Sequence, residues 1–217
     1  MDIELARQNM VENQVRAWDV LDARVLDVLS SVAREDFIAP IHRQLAFADV
    51  ELPIGHGETM MKPVVEGRML QALALTAVDS VLEIGTGSGF ITACMARLAQ
   101  QVTSIEQHAD FVEDARARLM AAGIRNAHVE CADALGDFST RAVFDVVVVT
   151  GAVYSLPERF REWVRPGGRL FAVIGESPAM QAILTTRAAA GHWRNQSLFE
   201  TDLPYLRHAE PPRRFRL

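Results

Sequence analysis

The feature that most constrains this chain is the run Glu83-Ile84-Gly85-Thr86-Gly87-Ser88-Gly89-Phe90. The apolar residues Val81 and Leu82 lead into it and predict a strand; residues 91–98 follow with the pattern of a helix. Glycines at alternate positions cost conformational entropy unless the backbone must turn sharply or let a ligand approach closely. A strand, a glycine turn and a helix whose first N–H groups are free make a nucleotide-cofactor loop. No Gly-Lys-Ser/Thr ending follows, which excludes the phosphate loop of ATPases and kinases.

The pattern around this loop alternates strands with helices. Strands are predicted at residues 81–84, 102–105, 127–130, 144–149 and 169–174, with helices at 91–98, 111–122 and 156–164. Gly123 suits a helix C-terminus, and Pro166-Gly167-Gly168 reads as a turn. The continuous β-branched run at 144–149 is expected of a strand covered on both faces. This order predicts an α/β fold, a mostly parallel doubly wound sheet. Residues 1–79 read as an N-terminal helical cap. There Leu5, Met10, Val11 and Val15 share one helical face, Asp19 or Asp22 opens a second helix, and Pro63 starts a third. Residues 176–217 read as edge strands, one at 193–199, and an irregular tail. At 217 residues with no compositional break, the chain is expected to be a single domain: helical cap at 1–79, cofactor core at 80–175, and C-terminal edge at 176–217.

A net charge of −6 offers no broad footprint for nucleic acid, and Arg213, Arg214 and Arg216 read as a solvated end. No apolar run is long enough to span a membrane, and the acidic start carries no signal-peptide pattern. Cys94 and Cys131 form no metal or disulfide pattern and read as two buried thiols in a reducing compartment, so a cytoplasmic address is expected. His42, His108, His128, His192 and His208 show no ligand spacing and read as surface or packing residues; no metal site is expected. Trp18 and Phe47 are candidates for a pocket wall or for core packing.

Glu106 ends the second strand, where a carboxylate can accept hydrogen bonds from ribose hydroxyls. Glu83 stands beside the glycine turn and can meet a charged ligand directly or orient the loop from behind. Asp133 follows the third strand, placed for an adenine amino group or as a helix N-cap. Acids around the loop and no cation to meet a pyrophosphate favour S-adenosyl-L-methionine, with its sulfonium and amino group. The glycine pattern by itself leaves a dinucleotide open.

These residues belong to a wider pattern. Met10-Val11-Glu12-Asn13-Gln14 with Arg16, the block at 32–40, Leu52-Pro53-Ile54-Gly55-His56-Gly57-Glu58-Thr59, the loop at 81–90, Ser104-Ile105-Glu106, Asp133, the strand ending Thr150-Gly151-Ala152, and Pro166-Gly167-Gly168 together resemble the protein-L-isoaspartate O-methyltransferase family. The resemblance covers nearly the whole chain and implies the Rossmann-like methyltransferase fold. It implies transfer of a methyl group from S-adenosyl-L-methionine, leaving S-adenosyl-L-homocysteine, to the α-carboxylate of L-isoaspartyl residues in damaged proteins. It also implies a cofactor site of Glu83, Ile84, Gly85, Thr86, Gly87, Gly89, Glu106, Gln107, Asp133, Ala134 and Thr150. Ile54, His56, Gly57, Glu58, Thr59 and Gly151 fall on the acceptor side, with Thr59 and Met61 at the catalytic positions.

Departures concentrate in the acceptor loop. Gly57-Glu58-Thr59-Met60-Met61-Lys62-Pro63 stands where the family reads Gly-Gln-Thr-Ile-Ser, one variable residue and Pro. Met61 replaces a serine that contacts the acceptor and cannot donate a hydrogen bond. Glu58 adds negative charge near an anionic acceptor. Gly151 replaces an alanine and is expected to open a little space, and Ala17-Trp18 stands for Gly-Ile. Three readings stay open at this level: an isoaspartyl methyltransferase with an altered pocket, a relative acting on a small molecule or another carboxylate, and a cofactor-binding protein impaired in catalysis that serves regulation or interaction.

Overall fold

Alternate residues of the central strands point into two different apolar layers. Val81, Val146, Val148, Phe171 and Val173 face one side, where they join Met10, Val15, Leu29, Phe37, Met69 and Leu70 of the N-terminal region. Leu82, Ile84, Ile105, Val147, Val149, Leu170 and Ala172 face the other, against Phe138, Phe160 and Trp163. A period of two with both faces covered is what a buried parallel sheet requires.

The computed structural model describes residues 2–188 and 191–212. Arg213, Arg214 and Arg216 lie outside the described residues. The N-terminal region holds α1 (Ile3–Asn9), α2 (Ala23–Ser31), a hairpin of β1 (Leu52–Gly55) and β2 (Glu58–Met60), and α3 (Pro63–Leu73). The core then runs β3 (Ser80–Ile84), α4 (Phe90–Leu98), β4 (Gln101–Glu106), α5 (Ala109–Ala121), β5 (Ala127–Cys131), β6 (Phe144–Val153), α6 (Glu158–Glu162), β7 (Val164–Ile174), β8 (Met180–Arg187) and β9 (Trp193–Thr201). The sheet order is β5-β4-β3-β6-β7-β8-β9. β5 through β7 are parallel, and β8 and β9 are antiparallel. The chain leaves β3 toward β4 on one side and returns to β6 on the other, so the crevice at the carboxyl ends of β3 and β6 is the switch point where ligands bind in such sheets. Among the described residues no helix is long and apolar enough to cross a membrane.

Several local expectations need correction. The first helix does not run straight to Val15: α1 continues as one wide turn over Met10–Val15, and a tight turn then stops at Asp19 in the left-handed region. Leu5 is exposed, so the buried face begins at Met10. Asp22, not Asp19, opens α2, its carboxylate accepting the Arg24 N–H at 2.9 Å. The helix expected at 156–164 shrinks to Glu158–Glu162, because Pro157 bars Leu156 from helical angles and Val164 already pairs with Phe144. Pro166-Gly167-Gly168 is not a turn before a strand but a bulge within β7, since Val164 stands opposite Phe144 and Arg169 opposite Val146. A side chain at Gly168 would meet the Asp145 carbonyl at 2.7 Å. Cys94 is buried as expected, but Cys131, at the end of edge strand β5, is exposed.

Beyond β9 the chain turns back over the sheet. Ala152 N–H donates to Pro204 O, Leu206 N–H to Ala152 O, and Tyr154 N–H to Ala209 O, each at 2.8 Å. This strap, residues 204–209, runs along the end of β6.

Candidate functional site

The glycine loop is held from below and from the side. Gly85, Gly87 and Gly89 all have positive φ, which explains glycine at each. Gly85 N–H reaches back to Ile105 O at 2.9 Å. The Thr150 hydroxyl donates to Ile84 O at 2.9 Å and also to Gly85 O, tying β6 to the loop. Gly89 packs on α5, where an added Cβ would stand 3.1 Å from Ala115 Cβ. Glu106 accepts the Gly87 N–H at 2.9 Å with one carboxylate oxygen and the His108 N–H at 3.0 Å with the other. It joins the loop to the start of α5 and keeps lone pairs for further donors.

Glu83 lies beneath the loop, fully buried. It accepts Thr92 Oγ1 at 2.5 Å and Ser104 Oγ at 2.6 Å, and Thr86 donates in turn to Ser104. Its second oxygen has no protein partner. Burial pushes its carboxyl up to about 7 against the pull of the two hydroxyls. These bonds place Glu83 behind the loop, and the residue also borders a small cavity there.

A cleft of about 650 Å³, measured with its mouth open to solvent, lies at the switch point. It brings together Ile54, Glu58, Thr59, Ile84, Gly85, Gly87, Glu106, Gln107, Asp133, Ala134, Thr150 and Gly151, all expected from the sequence. Met61, Glu83 and Thr86 line a smaller cavity beside it, which shares Ile54, Thr59, Gly85, Gly87 and Thr150 with the cleft. Met61 is buried, and its carbonyl accepts Arg34 Nη2 at 2.7 Å. Arg34 is fully buried and paired with Glu66, whose carboxyl burial raises while the guanidinium holds it down.

His56 and Gly57 do not line the cleft. At the hairpin tip His56 has φ 53°, stacks on His108 with ring centroids 4.0 Å apart, and shares a 2.8 Å hydrogen bond with Asp110. The tip is thereby docked on α5. His108, read from sequence as packing or surface, lines the cleft, and His56, His108 and Asp110 bring their ligand-type atoms within 4.8 Å of one another. His208 lies at the surface, as its sequence reading has it, with Nδ1 2.8 Å from Asp133 Oδ2. Asp133 caps a turn through the Leu135 N–H at 2.8 Å and does not begin a helix. The space expected from Gly151 is filled by Leu206 of the strap. Lys62 and Trp18 line a separate outer cavity, and Phe47 is core.

Sequence reasoning missed Leu206 and Arg207, which complete the cleft wall. Their segment is proline-bounded and without periodicity, so only its backbone bonds to β6 reveal it. Glu58 sits part-buried at the mouth. Burial first, then Glu106, push its carboxyl up, and Arg207 pulls it down.

The donor set suits a nucleoside carrying a short cationic arm. Glu106 can accept vicinal hydroxyls, Ile105, Ala132 and Leu135 offer an apolar slot, Asp133 stands at its edge, and no basic side chain stands on the glycine loop. The family model for protein-L-isoaspartate (D-aspartate) O-methyltransferase matches residues 5–201. The chain belongs to the protein-L-isoaspartate O-methyltransferase family. It is 36% identical over 194 residues to a protein-L-isoaspartate O-methyltransferase of Koribacter versatilis, covering 89% of this chain and 87% of that one. It is 38% identical over 182 residues to the enzyme of that name from Methylorubrum extorquens, covering 84% and 79%. The fold matches a crystal structure of the Plasmodium falciparum family member in complex with S-adenosyl-L-homocysteine, with a TM-score of 0.81 at 21% identity over 93% of this chain and 98% of that one. By family, then, the chain is a methyltransferase.

Proposed function

We propose that this chain methylates the α-carboxylate of L-isoaspartyl residues in proteins and peptides, using S-adenosyl-L-methionine, in the cytoplasm. Cap, sheet and strap act as one catalytic unit in this reading. The observation that carries it is the meeting, in one cleft, of the Glu106-bound glycine loop with Glu58 and Thr59 of the hairpin.

When bound, S-adenosyl-L-methionine supplies an electrophilic methyl on a sulfonium and leaves as S-adenosyl-L-homocysteine. Glu106 would hold the ribose hydroxyls, and Ile105, Ala132 and Leu135 would enclose the base with Asp133 and Ala134 at its rim. Gly85 and Gly87 would let the aminocarboxypropyl arm approach the backbone, which Thr150 ties to β6. A carboxylate acceptor is ionised at neutral pH, so no residue has to remove a proton. The work left to the protein is alignment and the exclusion of water. Thr59 and Met61 border the acceptor end.

The test is transfer of labelled methyl from S-adenosyl-L-methionine to a synthetic isoaspartyl peptide, with the aspartyl peptide as control. Base-labile label on the isoaspartyl peptide alone is expected. No label on it withdraws the reading.

A further inference from the structure

The lining of the cleft holds three carboxylates, Glu58, Glu106 and Asp133, and one guanidinium, that of Arg207. Glu106 is occupied by two backbone N–H groups, and Asp133 by His208 and the Leu135 N–H. Arg207 has no ion-pair or hydrogen-bond partner for its side chain among the described residues, although its charge is felt by Glu58 and His108 across the mouth. Its backbone is fixed on both sides: Leu206 N–H and Tyr154 N–H anchor the strap to β6, and the Leu206 side chain packs against Gly151 and reaches the glycine loop at Gly85. An exposed guanidinium carried on an anchored backbone, unpaired at the wall of the cleft, is suited to an anion, and it matches the geometry of a carboxylate in particular. Lys62, the other cation added near the acceptor loop, faces the separate outer cavity instead.

We propose that Arg207 is the residue that binds the acceptor's carboxylate. This rests on the isoaspartyl reading above and names the group that meets the negative charge of the acceptor, a task that Met61 cannot perform. Ester formation abolishes the acceptor's charge, so Arg207 holds the ground state more strongly than the transition state. Its loss therefore weakens acceptor binding without lowering turnover at saturation. The same chemistry has a second source, the α-carboxylate of the cofactor, and binding of S-adenosyl-L-homocysteine separates the two.

The experiment compares wild type, Arg207→Ala, Arg207→Lys and, as control, Lys62→Ala. Methyl transfer to an isoaspartyl peptide, calorimetric binding of that peptide to the enzyme loaded with S-adenosyl-L-homocysteine, and calorimetric binding of S-adenosyl-L-homocysteine alone are measured. Arg207→Ala is expected to raise the acceptor KM and Kd by about tenfold or more while kcat and the S-adenosyl-L-homocysteine Kd stay within about twofold. Arg207→Lys recovers part of the loss, and Lys62→Ala changes nothing. Unchanged acceptor binding in Arg207→Ala overturns the assignment, as does an equal loss of S-adenosyl-L-homocysteine affinity, which moves Arg207 to the cofactor. If the peptide binds through Arg207 without being methylated, the activity fails and the assignment stands. If it is methylated equally by all variants, the assignment alone fails, and if it neither binds nor reacts, both fail.

Discussion

Leu206 occupies the space that a side chain at Gly151 would need: an added Cβ would lie 2.8 Å from its Cδ2. Gly151 and Leu206 belong to different segments, yet they fit as one packing unit at the wall of the cleft. Gly151→Ala is expected to displace the strap and destabilise the fold by about 1–3 kcal/mol, as overpacking does. Thermal unfolding measures the loss, and a raised acceptor KM reports the shifted wall. A variant as stable as wild type shows that Leu206 yields freely.

Glu106 holds two backbone N–H groups and faces the cleft. Removing a charged acceptor of hydrogen bonds costs about 1.5–3 kcal/mol, or roughly ten- to a hundredfold in affinity. Glu106→Ala should therefore raise the S-adenosyl-L-homocysteine Kd by about tenfold or more, and Glu106→Gln by less. An unchanged Kd by calorimetry refutes the ribose assignment.

Met61 is buried in the cavity beside the cleft, so restoring a serine there has two opposed effects. Loss of its packing should lower stability by about 2 kcal/mol or more. A hydroxyl donor near the acceptor should raise kcat/KM for an isoaspartyl peptide by about tenfold. Chemical denaturation and methyl-transfer kinetics read the two separately. A serine variant with no kinetic gain shows that Met61 is not what limits the reaction.

Glu83 has a carboxyl raised to about 7 by burial, while the unfolded chain titrates near its ordinary value of 4.5. Between these values the folded state keeps a proton that the unfolded state releases, so stability falls as pH rises through the window and levels off above about 7. Glu83→Gln removes this contribution and keeps an acceptor for Thr92 and Ser104. It should flatten the pH profile of stability and gain on wild type by on the order of 2–4 kcal/mol between pH 5 and 8. Parallel profiles for the two proteins would mean that Glu83 ionises normally in the fold.

Much of this molecule is written in local pattern. Alternation in Val81-Leu82 and across residues 146–149 announces a strand buried on both faces, and the alternate glycines announce the loop. Glu106 could be picked out because it closes a strand beside that loop. What escaped is held by contacts between distant segments. The docking of His56 on His108 and Asp110 depends on a hairpin tip meeting a helix start, and neither histidine has a partner at ligand spacing. The helix at 158–162 is shorter than its apolar spacing implies because Pro157 acts on its neighbour's backbone rather than through side-chain periodicity. Cysteine as a residue type favours burial, and the exposure of Cys131 follows only from the edge position of β5. Residues 204–209 carry no periodic signal, since they attach through main-chain groups that every residue possesses.

The backbone ladder between the strap and β6 has a consequence for how the enzyme matures. The sheet, the glycine loop and the hairpin all precede residue 204 in the chain, so the wall holding Leu206 and Arg207 is the last part of the cleft to be synthesised, and it closes only when residues 204–209 pair with Ala152 and Tyr154. The cleft therefore has one wall that synthesis delivers after all the others.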